Sequence, residues 1–202
     1  IVTRRLVLRC WEPGDAPLLQ EAFQANLEHL RPWMSWAHDE PRDLEARVAW
    51  LRERRSRFDA DRDYVYGILN REETRVLGGS GLHARVGEQA LEIGYWIDGA
   101  HIHQGLATEA AAALTRAAFE LHRVQRVEIH CASSNVRSAA VPRKLGYVHE
   151  ATLRERQRAP DGRPWDTMIW TLLAAEYPQS PAAAAEIEAF DVLGRRMLIE
   201  VP

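Results

Sequence analysis

The strongest constraint on this chain is a glycine turn that opens into an alanine-rich helix directly after a predicted strand. The strand covers residues 91–98, and Gly105 lies at the start of a helix-favouring run over about residues 104–121. The first amides of a helix have no partner within the helix, and the helix dipole favours negative charge at that end. A strand, a tight turn and a bare helix start therefore predict an anion site that suits a phosphate. Taken alone, the segment also fits an ordinary helix start.

Composition excludes several classes of protein. The chain has 202 residues, 46% of them hydrophobic and 27% charged, which predicts one domain with its own core. A net charge of -3 and a pI near 6.3 argue against a nucleic-acid partner, because binding to a phosphate backbone requires a concentrated basic face. The arginine-dense run over residues 52–62 also carries three acidic side chains, which indicates a solvated helix face.

Cysteine usage and hydropathy favour a cytoplasmic protein. Cys10 and Cys131 are the only cysteines, and no apolar run has the length of a leader or a membrane span. We therefore expect a reducing compartment and no membrane partner. No Cys/His cluster has the spacing of a zinc site, so we expect no metal.

Hydrophobic patterns predict strands and helices in mixed α/β order. A crossover helix joins two neighbouring parallel strands, and in the second helix Leu44, Val48 and Leu51 share one face. Pro142 lacks an N–H within the last helix, which predicts an unpaired carbonyl at Ser138. The predicted strands cover residues 6–10, 64–69, 76–82, 91–98, 126–131, 148–157 and 166–172, and the predicted helices cover about residues 16–30, 44–58, 104–121 and a segment capped by Asn135.

A second motif follows the returning strand. It consists of Asn135, then Ser138, then the run Lys144-Leu145-Gly146-Tyr147. This resembles the second signature of the GNAT acyltransferases, and the turn at Gly105 resembles the first, with the right order and separation. Over roughly residues 3–176 the chain also resembles the RimJ/RimL type of ribosomal-protein N-acetyltransferase. The segments that carry this likeness are residues 3–9, 29–37 and 146–155.

The resemblance implies a fold and a domain plan. A GNAT fold is α/β (α+β), with a mixed, mostly antiparallel sheet of about six to seven strands, a parallel and splayed central pair, and about four flanking helices. Residues 1–177 would form the acyltransferase domain. Residues 178–202 would form a C-terminal extension that packs on the domain or on a partner subunit.

The resemblance also implies a reaction. Acetyl would move from acetyl-CoA to a primary amine by direct attack in a ternary complex, with the α-amino group of a protein N-terminus as the preferred acceptor. No activated cysteine or Ser–His pair indicates an acyl-enzyme. Two alternatives stay open: acetylation or succinylation of a small-molecule amine, and a non-catalytic acyl-CoA-binding module.

Cofactor contacts are expected at three places. The backbone N–H groups of the splayed strand would contact the pantetheine arm and the thioester oxygen, and Asn135 would serve as both helix cap and polar contact. Ile102 and His103 depart from the polar residue and the glycine of the family motif, and His101 and His103 are candidate replacement donors. The expected strand donors are Tyr95, Trp96 and Ile97, and the expected pyrophosphate donors are the amides of Gln104, Gly105, Leu106, Ala107 and Thr108.

Candidate catalytic residues follow from the same resemblance. Ser138 would protonate the departing thiolate, although a helix-face serine can also be purely structural. Two residues are candidates for the general base, Glu92 on the splayed strand and His130 on the next strand, and a water relay is the third option. Trp33, Met34 and Trp36 would wall the acceptor groove, whereas a role in the core is the alternative for the tryptophans.

The C-terminal extension carries a helix-prone piece over residues 182–190 and a short apolar run over residues 197–199, before Val201. An isolated strand is unstable in water. We therefore expect the extension to pack against a second copy, giving a homodimer, or over the acceptor groove.

Overall fold

The computed structural model describes residues 1–158 and 162–197. One sheet contains all seven strands, in the order β1-β2-β3-β4-β5-β7-β6, and four helices pack on it. The predicted fold class is confirmed. The strands are β1 Leu6–Cys10, β2 Tyr64–Asn70, β3 Val76–His83, β4 Ala90–Ile97, β5 Arg126–Ala132, β6 Val148–Arg158 and β7 Pro164–Leu173, and the helices are α1 Ala16–Leu30, α2 Leu44–Asp59, α3 Leu106–Glu120 and α4 Val136–Lys144.

The central strands β4 and β5 form the parallel pair, and every other pair of neighbouring strands is antiparallel. Pairing between β4 and β5 covers only three residues of each strand and ends at Glu92 opposite Glu128. Beyond that point the strands separate, so the second half of β4 has backbone groups that face an open gap. The predicted splay is therefore present, and it positions the site described below.

Each face of the sheet has its own core. On one face α3, with its fully buried Leu114, packs over fully buried Ile93 of β4 and Val127 of β5. On the other face α1 and α2 enclose a smaller cluster that includes Trp11 and Leu51. Side chains alternate between faces along a strand, so consecutive residues of β4 point to different cores. None of the helices in residues 1–158 and 162–197 is long and apolar enough to cross a membrane.

The buried face of α2 differs from the predicted one. Leu51 is fully buried as expected, but Leu44 is 44% exposed and Arg47 is only 1% exposed. The guanidinium of Arg47 lies 4.6 Å from the centroid of the Phe23 ring and pairs with the carboxylate of buried Glu40. An aromatic face and a carboxylate together offset the desolvation of the charge, which hydrophobic periodicity cannot anticipate.

Helix α4 also corrects an expectation. Asn135 caps the helix as predicted, since its Oδ1 accepts from the amide of Ser138 at 3.1 Å. Pro142 leaves the Ser138 carbonyl without a helical donor, but the carbonyl is not unpaired. The hydroxyl of Tyr95 donates to it at 3.0 Å. A strand side chain thus replaces the missing backbone donor and ties β4 to α4.

The described part of the extension packs on the chain's own domain. Ala182 and Ala183 are buried against α3, and the predicted helix over residues 182–190 is absent apart from the 3-10 turn Pro181–Ala184. Beyond the turn, Val2 and Glu188 exchange two backbone hydrogen bonds of 2.7 and 2.9 Å, so pairing with the N-terminus overrides the helix propensity of alanine. Leu198, Ile199 and Val201 lie outside the described residues.

Candidate active site

A cleft of about 740 Å³ opens on the α1/α2 face and continues into the gap between β4 and β5. None of residues 178–197 lines it, so the described extension does not cover the acceptor groove. The structure brings nine of the predicted site residues together here, whereas Ile97 and the turn residues 104–108 lie outside the lining. Those nine are Trp33, Met34, Trp36, Glu92, Tyr95, Trp96, His130, Asn135 and Ser138.

The glycine turn has the backbone conformation expected of an anion site. Gly105 is the N-cap of α3 and has φ +79°, in the left-handed region that side chains disfavour. Its carbonyl accepts from the amide of Glu109 at 3.0 Å, which closes the first helical turn. Within the described residues, the amides of Leu106, Ala107 and Thr108 have no backbone partner. These three donors therefore stay free at the positive end of the helix dipole.

Arg5 supports this turn, and sequence reasoning missed it. Its Nη1 donates to the carbonyl of Gln104 at 2.9 Å, and its Nε donates to Glu109 at 2.6 Å. Thr3 donates to the same carboxylate at 2.6 Å. Burial favours the protonated form of Glu109, but the hydrogen bonds from Thr3 and Arg5 hold the pKa of that carboxyl below its ordinary value. No local signal links Arg5 to a turn a hundred positions away, because the contact depends on tertiary packing.

The departures from the family motif have structural roles. Ile102 packs against the main core, and His103 has φ +61°, which places a non-glycine residue in the left-handed region. His101 Nδ1 lies 2.6 Å from the carboxylate of Asp98, so this ring is engaged within its own turn. His103 is exposed and is the freer of the two predicted replacement donors.

The direction of the backbone amides on β4 narrows the choice of donors. The amide of Asp98 donates to the carbonyl of Leu77 on the β3 side at 2.9 Å. Amides alternate in direction along an antiparallel strand, so the N–H of Trp96 faces β3 and those of Tyr95 and Ile97 face the gap. Of the three predicted strand donors, Tyr95 and Ile97 are the ones that can reach a molecule in the gap.

Ser138 lies beside the gap on α4, the helix whose buried residues Ala139 and Val141 belong to the same core as α3. Its Oγ is 3.2 Å from the Tyr95 hydroxyl. Because that hydroxyl donates its proton to the Ser138 carbonyl, it accepts from Ser138 Oγ, so the serine is the donor in this contact. Burial raises the pKa of Tyr95 well above its ordinary range, which keeps the phenol protonated and fixed in this role.

The two predicted bases are both paired with other side chains. Arg85 donates to both oxygens of Glu92 at 2.7 Å, and although burial favours the neutral acid, this bidentate pair holds the pKa of Glu92 below its ordinary value. His130 Nε2 lies 2.6 Å from Glu128, and Nδ1 lies 3.8 Å from Glu92. Glu92 and His130 thus line the cleft within one connected charge network.

Aromatic side chains form the wall of the cleft. Phe23 lies 4.9 Å from Trp36 and 5.4 Å from Trp96, measured between ring centroids. Trp36 is therefore both a core residue and a cleft residue, so the two interpretations of the tryptophans are not exclusive. Trp33 and Met34 line the same cleft from the segment that follows α1.

The cleft contains a histidine that sequence reasoning did not single out. His83 ends β3 opposite Glu92 of β4, and its Nδ1 lies 2.7 Å from the carboxylate of Asp63. Counting from the predicted hairpin could have placed His83 across from Glu92. The pairing with Asp63 required the tertiary structure.

Comparisons with known proteins agree with this arrangement. The family model described as "Acetyltransferase (GNAT) domain" matches residues 5–148, which is more than half of the chain. A protein of Bacillus subtilis (strain 168) named "Putative ribosomal N-acetyltransferase YdaF" is 29% identical over 178 residues, covering 87% of this chain and 95% of the relative.

Two solved structures are similar over nearly their whole length. One, titled as a probable acetyltransferase, has a TM-score of 0.79 and 28% identity, covering 87% of this chain and 97% of the other. The other is the RimL ribosomal L7/L12 alpha-N-protein acetyltransferase in complex with coenzyme A, with a TM-score of 0.78, 20% identity and coverage of 86% and 96%. Both likenesses show the fold. The chain belongs to the GNAT acetyltransferase family and is an N-acetyltransferase of that type.

Proposed function

We propose that this protein transfers acetyl from acetyl-CoA to the α-amino group of a protein N-terminus in the cytoplasm. The observation that carries the proposal is the gap between β4 and β5. It opens towards unpaired backbone donors and Ser138 on one face and towards a wide cleft on the other. Direct transfer between two molecules that enter from opposite faces requires this geometry.

The residues present fit acetyl-CoA, which supplies an activated acyl thioester. Three free amides after Gly105 and the neighbouring Arg5 offer a cationic cradle for a pyrophosphate. The free amides of Tyr95 and Ile97 offer strand-like pairing for an amide-containing arm. Thr167 lines the same cleft, and its Oγ1 is buried without a hydrogen-bond partner among the described residues. This hydroxyl is a further polar group that acetyl-CoA could contact.

Ser138 supplies the acid in this proposal. Its hydroxyl lies beside the gap, where Asn135 and Tyr95 fix its backbone and its side chain. The serine delivers a proton to the departing thiolate, and Tyr95 Oη, which accepts from the serine before the reaction, orients it. Burial raises the pKa of the Cys131 thiol, so this neighbouring cysteine stays protonated and unsuited to an acyl-enzyme route.

The acceptor would occupy the aromatic cleft. A volume of about 740 Å³ accommodates more than a single small amine, and its mouth is open to solvent. The YdaF relative is named for ribosomal acetylation, and the RimL structure is that of an alpha-N-protein acetyltransferase. Both names support a protein N-terminus as acceptor for this chain.

The test is thiol release from acetyl-CoA with a panel of acceptors. It comprises peptides with free N-termini, the same peptides with blocked N-termini, and amino acids, polyamines and amine antibiotics. We expect release only with free N-terminal peptides, and mass spectrometry should locate the acetyl group on the α-nitrogen. Turnover confined to small amines would contradict the proposed acceptor. Tight acetyl-CoA binding without turnover on any amine would contradict catalysis.

A further inference from the structure

His83 lies on the acceptor face at the mouth of the gap. Its ring rests on two glycines that pair with each other across β3 and β4, Gly81 and Gly94. A Cβ placed on Gly81 would lie 2.6 Å from His83 Nε2, and one placed on Gly94 would lie 3.7 Å from it. Only glycine at position 81 lets the ring lie in this place. Gly94 follows Glu92, where the pairing of β4 with β5 ends, so the ring borders the opening itself.

The two nitrogens of this ring have different surroundings. Nδ1 lies 2.7 Å from Asp63 Oδ1, so in the neutral ring Nδ1 carries the proton and Nε2 carries the lone pair. Within the described residues Nε2 has no hydrogen-bond partner. The open nitrogen therefore belongs to a histidine that lines the cleft and is oriented by a carboxylate.

The other titratable groups of the cleft lack this combination. Both oxygens of Glu92 accept from Arg85, and His130 has a carboxylate near each of its nitrogens. A proton acceptor needs a free lone pair within reach of the acceptor amine. Glu92 is held by Arg85, and His130 Nδ1 faces the Glu92 carboxylate at 3.8 Å, whereas His83 Nε2 has neither an ion-pair partner nor a hydrogen-bond partner among the described residues.

We propose that His83 is the general base and that Asp63 is its positioning residue. The inference rests on the proposed function. His83 Nε2 takes one proton from the acceptor ammonium, and the neutral amine attacks the thioester carbonyl. The C–N bond forms and the C–S bond breaks. As the intermediate collapses, Ser138 gives its hydroxyl proton to the thiolate, and the second proton of the nitrogen restores the Ser138 hydroxyl, directly or through water. Each turnover thus releases one proton to solvent through His83.

The titratable and charged groups that face His83 come from α2, from β4 and from the loop before β2. Burial favours the neutral acid of Asp63, but the hydrogen bond and charge of His83 hold the pKa of this carboxyl below its ordinary value, with Arg54 and Arg57 of α2 contributing. Glu92, paired with Arg85, faces the ring from β4, and His130 lies behind Glu92 on β5. Asp63 is therefore ionised near neutral pH and available to stabilise an imidazolium.

The first test compares His83→Gln with His149→Gln, an exposed histidine on β6 outside the cleft. We expect His83→Gln to lower kcat/KM by roughly 10²-fold. It should also remove the fall of kcat/KM at acidic pH that the enzyme's own base causes, which is the acidic limb of the pH profile. Acceptors of two basicities separate that limb from the titration of the amine. Acetyl-CoA affinity should not change in either variant, and His149→Gln should keep full activity.

A second readout does not depend on turnover. In the unliganded protein, the NMR titration of the His83 ring should coincide with the acidic limb of the parent. Asp63→Asn should shift both to lower pH together, because the imidazolium loses its carboxylate partner. A structural role for Asp63 would lower the melting temperature without moving the titration.

Several results would overturn the proposal. If the parent enzyme acetylates amines and the His83→Gln variant keeps the parent's kcat/KM and acidic limb, His83 is excluded as the base. The proposed function would then stay intact. Loss of the limb in Glu92→Gln or His130→Gln, but not in His83→Gln, would assign the base elsewhere. A parent that acetylates no amine would refute both proposals together.

Discussion

The two sides of the β4–β5 gap differ in the groups that form them, which are backbone amides on one side and side chains on the other. On the α3/α4 side, the proposed cofactor cradle consists of backbone amides whose positions follow from one turn and one strand, and it depends on the φ of +79° at Gly105. On the α1/α2 side, the acceptor cleft consists of side chains such as Trp33, Phe23 and His83, which come from separate elements. A binding site formed by backbone amides keeps its shape when most side chains are substituted. A binding site formed by side chains changes with each substitution.

This difference suits an enzyme whose two ligands differ in variability. The cofactor is the same in every turnover, so a site made of backbone geometry is sufficient for it. An acceptor groove made of side chains from several elements can be altered one position at a time without disturbing the cradle. The comparison predicts two classes of substitution. Those on the cofactor side should change acetyl-CoA affinity or kcat, and those on the acceptor side should change the acceptor KM.

The largest expected effect concerns Ser138, the one side chain on the cofactor side with a proposed chemical step. Ser138→Ala should lower kcat by roughly 10²-fold while acetyl-CoA affinity stays nearly constant. The matched control is Ser134→Ala, an exposed serine in the turn just before α4. A lower melting temperature with unchanged turnover would instead make Ser138 structural, and would leave the cofactor side without a reactive side chain.

A smaller effect is expected at the support of the turn. Glu109→Gln removes the carboxylate that accepts from Thr3 and Arg5, and it should lower the free energy of unfolding by about 2 kcal/mol at neutral pH. In the folded protein the pKa of Glu109 lies below its ordinary value of 4.5. The carboxylate therefore stabilises the fold above about pH 4.5, and this contribution disappears as pH falls through the folded pKa.

Unfolding measured across pH checks this prediction. The difference between the parent and Glu109→Gln should be greatest near neutrality and should shrink in acid. A difference that is the same at pH 3 and pH 7 would show that the charge of Glu109 contributes nothing to the stability of the turn.

The same comparison explains how far the sequence could predict the site. Local turn and cap chemistry predicted the helix starts at Gly105 before α3 and at Asn135 before α4, and the resemblance to GNAT enzymes assigned both to the cofactor. The sheet followed from alternation and from the crossover helix. The acceptor side needed contacts between distant segments, as in the pairing of His83 with Asp63, and no local pattern records these.

Two errors have the same origin. Leu44 was expected on the buried face of α2, but it is exposed, and Arg47 is buried instead because Phe23 and Glu40 make its burial favourable. The alanine-rich piece that begins at Ala182 was expected to be helical, but pairing of Glu188 with Val2 extends the chain. In each case a partner far along the sequence outweighed a local preference.

The most direct test of the two-sided account is calorimetric binding of acetyl-CoA to Gly105→Val and Trp33→Ala, one substitution on each side. A side chain at Gly105 strains the left-handed turn, so we expect affinity to fall at least about tenfold, or about 1.4 kcal/mol, in the folded protein. Trp33→Ala should leave acetyl-CoA affinity unchanged and raise only the acceptor KM. Equal acetyl-CoA affinities for the two variants would contradict the account.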